Sequence, residues 1–179
     1  MNKFQLRKKI SKIRSKFAKK KITVNSEAII KLIEQKSPNK KVGLYYPFGD
    51  ELSTLELMNR LIRKKFIISL PIINKFEMSF YSWSPNEPLT INRFGILEPL
   101  KGKKITPSTL IIPMLAFDSN LNRLGYGGGF YDRFIQKIEK QNNCVKIGLA
   151  LSFQKINKVP VDKYDKKMDF IITEKRIYK

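Results

Sequence analysis

Two periods of apolar residues take turns along this chain, one near 3.6 residues and the other short and continuous. Between Lys3 and about Lys20, Phe4, Ile10, Ile13 and Phe17 recur at near-helical spacing, and Ile29, Ile30 and Ile33 do so between Ser26 and Gln35; both stretches are predicted to be helices. "KVGLYYP" then reads as a buried strand. Ser53 followed by Glu56 in "STLELMNRLIRKK" fits a capping box that opens a third helix, and "FIISLPII" fits another core strand. "EMSFYSW" is predicted as a further strand, followed by the Pro-rich stretch "SPNEPLTINRFGILEPLKGKKITPS", which is too long for a plain connector and so is either functional or carries short elements of its own. "TLIIP" reads as a strand, "FYDRFIQKIEKQ" as a helix, "VKIGLAL" as a strand and "DFIITE" as a last short strand. Strands alternating with helices imply a three-layer α/β/α fold, its mostly parallel sheet covered by helices on both faces. With no internal repeat and no dividing linker, residues 1–179 are expected to form one domain.

Composition narrows the chemistry. The hydrophobic fraction of 42 % is ordinary for a soluble protein, and no apolar run approaches the roughly 18 residues of a membrane span. The N-terminal "MNKFQLRKKISKIRSKFAKKK" is basic throughout and lacks the apolar stretch of a secretory signal, so a cytoplasmic protein with no membrane partner is expected. The single cysteine, Cys144, excludes an internal disulfide and sits where a buried thiol is the commoner reading. The absence of histidine removes a Ser–His triad, a histidine general base and every histidine-containing zinc site. The formal charge of +21 admits an electrostatic partner such as nucleic acid or a polyphosphate. Lysines spread from end to end also fit a solvated surface, and no nucleic-acid module signature is present, so no dedicated nucleic-acid partner is expected.

The segment "RLGYGGGFYDRF" concentrates four of the chain's nine glycines among two arginines, four aromatics and an aspartate. It follows a strand by a loop and precedes a helix, the edge at which open α/β sheets bind ligands. Glycine permits φ > 0 and close ligand approach, and a helix N-terminus offers unpaired N–H groups to anions. Phosphate is one reading, with Arg123 and Arg133 adding charge-assisted contacts; a tight structural turn is the other. Neither common phosphate pattern fits, because no Gly-Lys-Ser/Thr ending is present and Phe130 stands where the dinucleotide fingerprint needs glycine.

Several ordered pieces of this sequence resemble the 5-formyltetrahydrofolate cyclo-ligase family, also called 5,10-methenyltetrahydrofolate synthetase. "KFQLRKKI" is similar to the family's N-terminal signature, "YYPFGDELST" to its folate strand and glutamate, and "FGILEP" to its mid-chain motif. "PMLAFDSNLNRLGYGGGFYDRF" is similar to its hallmark loop and "VPVDKYDKKMDFIITE" to its C-terminal segment, so that the resemblance spans nearly the whole chain. It implies an ATP-dependent cyclisation, with Mg²⁺ as cofactor, ATP as co-substrate, 5-formyltetrahydrofolate as substrate and a monomeric enzyme. Phosphoryl transfer rests chiefly on positioning and charge neutralisation and requires no histidine.

Carried over position by position, the resemblance implies ATP contacts at Lys3, Arg7, Arg123, Leu124, Gly125, Tyr126, Gly127, Gly128, Gly129, Phe130 and Tyr131. Folate contacts fall on Tyr46, Glu51, Tyr126, Gly127, Gly128, Gly129 and Phe130, with a wall completed by Phe94 and Ile96. Metal ligands fall on Asp132 and Asp165, and the catalytic roles on Arg123, Tyr131 and Asp132. Asp118 is expected to shape the loop, and Gly128 to take positive φ. Plainer readings stand beside these: Lys3 and Arg7 as a solvated helix face, Tyr46 as core, Glu51 as a surface carboxylate, Phe130 or Tyr131 as helix packing. The chain departs from the family where Tyr164 precedes Asp165 in place of a histidine, and where Gly128 stands at a position that is lysine in some members. A non-catalytic, RNA-associated protein on the same fold, or another nucleotide-dependent enzyme using the same loop, are the alternative functions.

Overall fold

A computed structural model of the chain describes residues 2–18, 22–37, 39–140 and 143–179. Helix α1 (Lys3–Ala18) and helix α2 (Ser26–Lys36) precede strand β1 (Lys41–Gly43), helix α3 (Leu55–Arg63), β2 (Ile67–Asn74) and β3 (Glu77–Ser82). The Pro-rich stretch carries short elements of its own, β4 (Leu89–Ile91), β5 (Leu97–Pro99) and β6 (Lys104–Ile105). Then come β7 (Thr109–Pro113), β8 (Ala116–Phe117), β9 (Arg123–Leu124), α4 (Phe130–Ile138), β10 (Val145–Leu149), β11 (Phe170–Ile172) and β12 (Ile177–Tyr178). The predicted last residues of the first helix, Lys19 and Lys20, and of the fourth, Gln141, lie outside the described residues.

The main sheet has eight strands in the order β12-β11-β10-β7-β1-β2-β3-β6. Its centre, β11, β10, β7, β1 and β2, is parallel, while β12, β3 and β6 run antiparallel at the margins. Parallel strands buried on both faces need no polar alternation, and Thr109–Pro113 is buried at all five positions. Its side chains divide between the layers. Ile111 joins Ile29, Ile30 and Ile33 of α2 and Leu57, Met58 and Leu61 of α3 on one face, while Leu110 and Ile112 meet Phe134, Ile135 and Ile138 of α4 on the other. The expected three-layer architecture is therefore present. Helix α1 packs elsewhere, laying Leu6 and Ile10 against Leu115, Ala116, Leu124 and Val159.

One local expectation fails. Helix α3 opens at Thr54, not through a Ser53–Glu56 capping box. The Thr54 hydroxyl donates instead to the Tyr45 carbonyl at 2.7 Å, and Glu56 pairs with Arg60 one turn on. A buried backbone carbonyl at the end of β1 claims the hydroxyl, because an orphan acceptor inside the fold costs more than an uncapped N–H at the surface.

Candidate active site

Strand order locates the site. The β1–α3–β2 unit winds to one side and the β7–α4–β10 unit to the other, so the neighbours β1 and β7 form a switch point whose carboxyl ends diverge. Residues 44–54, with Glu51, follow β1, and residues 114–129, with the glycine loop, follow β7. A cavity of about 180 Å³ opens between them, lined among others by Arg14, Tyr45, Glu51, Pro113, Met114 and Leu149.

The first loop is folded by its own hydrogen bonds. Tyr45 Oη donates to the Leu52 carbonyl at 2.8 Å, and Phe48 N donates to Glu51 Oε2 at 3.0 Å. Burial raises the Glu51 carboxyl above its ordinary value, against the opposing pull of hydrogen bonds from the Tyr126 hydroxyl and the Phe48 amide and of the Arg14 charge. Tyr46 packs away from the cavity, edge-on to Trp83 at 6.2 Å, and Tyr45 forms the wall. Phe94 stands edge-on to Phe130 at 5.9 Å. A Cβ placed on Gly95 would touch the Phe48 ring at 3.4 Å, so Phe48, Phe94 and Phe130 gather near Glu51.

The second loop is held by Asp118, whose carboxylate accepts from the amides of Asn120, Asn122 and Val159 and from Asn122 Nδ2. Burial alone would raise this carboxyl, but those donors outweigh it and hold the group below its ordinary value. The loop-shaping role expected of Asp118 is what its contacts describe. Beyond it, Arg123, 6 % exposed, donates from Nη2 to Asp132 Oδ1 at 2.8 Å. Its Nε and the Tyr131 hydroxyl are buried without partners among the described residues, and burial raises the Tyr131 phenol so that it stays a neutral donor.

The four glycines differ. Gly127 has φ 105° and Gly129, the N-cap of α4, has φ 64°. Gly128, expected at positive φ, does not take it; what constrains it is the Phe130 ring, which a Cβ would meet at 2.7 Å. No side chain caps α4, which leaves its first-turn amides available to an anion.

Helix α1 reaches this loop from the far end of the sequence. Arg7 Nε donates to the Gly125 carbonyl at 2.9 Å. Lys3 Nζ bonds Asp165 Oδ2 at 2.5 Å and Asp162 Oδ2 at 2.7 Å. Partial burial lowers the Lys3 ammonium, yet those two carboxylates overcome it and hold the group above its ordinary value.

The two expected metal ligands lie on neighbouring segments, because Asp132 Oδ1 also accepts from the amide of Lys166, the residue after Asp165. Both donors to Asp132 use Oδ1, and both donors to Asp165 use Oδ2. Each carboxylate thus keeps one oxygen without a hydrogen-bond partner among the described residues. Mg²⁺ takes one or two carboxylates together with substrate phosphates and water, and this donor set fits that habit. No group of three or more His, Cys, Asp or Glu able to hold a metal ion occurs among the described residues.

Two contributors carry no signal in the motifs. Arg14 lies two helical turns after Arg7, so spacing along α1 points to it. Tyr45 is indistinguishable from Tyr46 in an apolar run.

Fold and loop together describe an α/β protein with its candidate ligand site at a sheet switch point. The chain belongs to the 5-formyltetrahydrofolate cyclo-ligase family, whose sequence pattern matches residues 1–174, and is thereby a ligase. It is 33 % identical over 176 residues to the 5-formyltetrahydrofolate cyclo-ligase of Haemophilus influenzae, covering 90 % of this chain and 91 % of that one. With the enzyme of the same name from Escherichia coli (strain K12) it shares 32 % identity over 145 residues, 76 % of this chain and 79 % of the other. The NMR structure of 5,10-methenyltetrahydrofolate synthetase from Aquifex aeolicus matches with a TM-score of 0.76 at 31 % identity, over 99 % of this chain and 92 % of that one. No helix among the described residues is long and apolar enough to cross a membrane.

Proposed function

We propose that the chain converts 5-formyltetrahydrofolate to 5,10-methenyltetrahydrofolate at the expense of ATP, releasing ADP and phosphate. The observation that carries this reading is the meeting of three distant segments: Arg7 bonds the Gly125 carbonyl, Arg14 bonds the Tyr126 hydroxyl, and Arg14 and Glu51 line one cavity. An anion-binding loop and a pterin-binding carboxylate thereby share one edge of the sheet.

The chemistry follows from that juxtaposition. The formyl oxygen on N5 attacks the γ-phosphorus as the bond to ADP breaks, which turns a poor leaving group into a phosphate ester. N10 then adds to the activated carbon, loses its proton, and phosphate departs with its oxygen. Glu51 accepts hydrogen bonds from pterin N–H groups and orients N5. Arg7, Arg123, Lys3 and the amides of Gly127 to Phe130 bind the phosphates. Tyr131 supplies a neutral donor, since its buried hydroxyl has no partner among the described residues. Asp132 and Asp165 hold Mg²⁺, which when bound neutralises developing phosphate charge.

Formation of the methenyl product, followed by its absorbance with and without MgATP, tests this. Turnover is expected only with Mg²⁺ and ATP together. Product formed without nucleotide would remove the mechanism.

A further inference from the structure

Arg14 stands outside every role assigned so far, yet it sits at the centre of the site. It lies on α1 seven residues after Arg7, so both guanidinium groups leave the same helix face. Arg7 grips the backbone of Gly125, and Arg14 grips the next side chain, donating from Nη1 to the Tyr126 hydroxyl at 2.5 Å with its Cζ 5.4 Å from that ring's centroid. A guanidinium can only donate. The Tyr126 oxygen is therefore the acceptor of that bond, which leaves its own proton free for the neighbouring Glu51 carboxylate, whose charge helps to raise the Tyr126 phenol. Arg14 lines the same cavity as Glu51, and its Nε is buried without a partner among the described residues.

We propose that Arg14 is a positioning residue of the folate site: through the Tyr126 hydroxyl it sets the orientation of the Glu51 carboxylate, so that pterin recognition depends on helix α1. The inference rests on the reading of Glu51 as the pterin acceptor. Chains of hydrogen bonds polarise one another in a low-dielectric setting, so a cation at the far end strengthens the whole relay. The groups facing Glu51 are Arg14 of α1, Tyr45 after β1, Tyr126 of the glycine loop and Tyr131 of α4, with Asp50 beside it in the same cavity lining. Among them only Arg14 is a cation. Burial raises the Glu51 carboxyl and Arg14 opposes that rise; without Arg14 the carboxylate protonates at higher pH, and the acid limb of folate binding moves up the pH scale.

The test is equilibrium binding of 5-formyltetrahydrofolate by titration calorimetry, without nucleotide, across pH 4 to 8 (a range of about four units chosen to span a raised carboxyl), for wild type, Arg14→Gln, Arg14→Lys, Tyr126→Phe and the Gln/Phe double variant. Arg14→Gln is expected to weaken folate binding about tenfold, the loss of one charge-assisted hydrogen bond, and to displace the acid limb upward. Tyr126→Phe cuts the same relay, so the double variant should be little worse than either single one, while Arg14→Lys restores part of the displacement. Thermal melts of each variant confirm that it is folded. Additive losses, or weaker binding with an unmoved acid limb, overturn the proposal by showing mere structural support. Because no nucleotide is present, a preserved relay in a chain that fails to turn over would sink the ATP-dependent reaction and leave this inference standing.

Discussion

Asp132 has an observed ion pair and a proposed metal role, which one substitution pair can separate. Its carboxylate is 19 % exposed and faces Arg123, 6 % exposed, across 2.8 Å, while the Lys166 amide donates to the same oxygen. Asp132→Ala strips a nearly buried cation of its only carboxylate partner among the described residues. Breaking such a pair costs about 3–5 kcal/mol when both ends are buried; with one end partly wet, about 3 kcal/mol is the appropriate figure. For a chain of this length that corresponds to a melting temperature lower by about 6–12 °C. Asp132→Asn keeps an acceptor at Oδ1 for both donors and loses only the charge, so about 1 kcal/mol, or about 2–4 °C, is expected. Both variants lose the carboxylate proposed to hold Mg²⁺, and turnover should fall by about three orders of magnitude or more in each. Saturating MgATP, at about 100 times its Kd, should stabilise wild type by about 2.7 kcal/mol, and the asparagine variant should forfeit most of that while its ligand-free melt stays near wild type. Steady-state turnover beside melts with and without MgATP reads all four quantities. Near-normal turnover with full MgATP stabilisation in Asp132→Asn would refute the metal role, and an unchanged melt in Asp132→Ala would refute the structural one.

Two further outcomes are expected. The Cys144 thiol, buried and pushed up to about 12 chiefly by that burial, should react with a disulfide reagent at neutral pH only after denaturation; rapid labelling of the native protein would show that the site opens. Gly129→Ala places a side chain at φ 64° against Arg133 Nη1 at 2.7 Å; because that guanidinium ends a flexible chain and can swing aside, backbone strain of about 1–2 kcal/mol should dominate the cost, whereas Gly128→Ala meets the Phe130 ring at 2.7 Å and should be relieved by Phe130→Ala; a Gly128→Ala melt that the second substitution fails to restore would sink that distinction.

How legible each feature was depends on how local its cause is. The central strands stood out because parallel strands buried on both faces are close to apolar throughout, as residues 110–113 are after the single polar Thr109. The elements inside the Pro-rich stretch had no periodic signature, because their organiser is remote: buried Glu98 accepts from the Ile73 amide of β2 and from Asn92 Nδ2. Ser53 and Glu56 had capping-box spacing, but the contest was settled by Tyr45, nine residues before Thr54. Arg14 went unread for a similar reason, since its partner Tyr126 is 112 residues away.

The glycine loop shows what such remote causes amount to. Bare backbone in this segment suggested room for phosphate, yet in the structure the room is shared with cations. A Cβ on Gly125 would meet Arg123 Nη1 at 2.9 Å, one on Gly127 would meet Arg7 Cζ at 3.2 Å, and one on Gly129 would meet Arg133 Nη1 at 2.7 Å. Three glycines thus admit three guanidinium groups, one from α1, one from β9 and one from α4, against five consecutive residues of chain. Like charges converge so closely only where counter-charge is present, and Asp132 answers just one of them. Arg133 is held instead by the Phe76 carbonyl, and Arg7 by that of Gly125. Neutral carbonyls fix the direction of a guanidinium without cancelling its charge, so the loop keeps a surplus of positive potential beside the uncapped N-terminus of α4. A polyanionic ligand would complete that arrangement, with the arginines drawn in over glycine supplying the charge that Gly128 itself cannot.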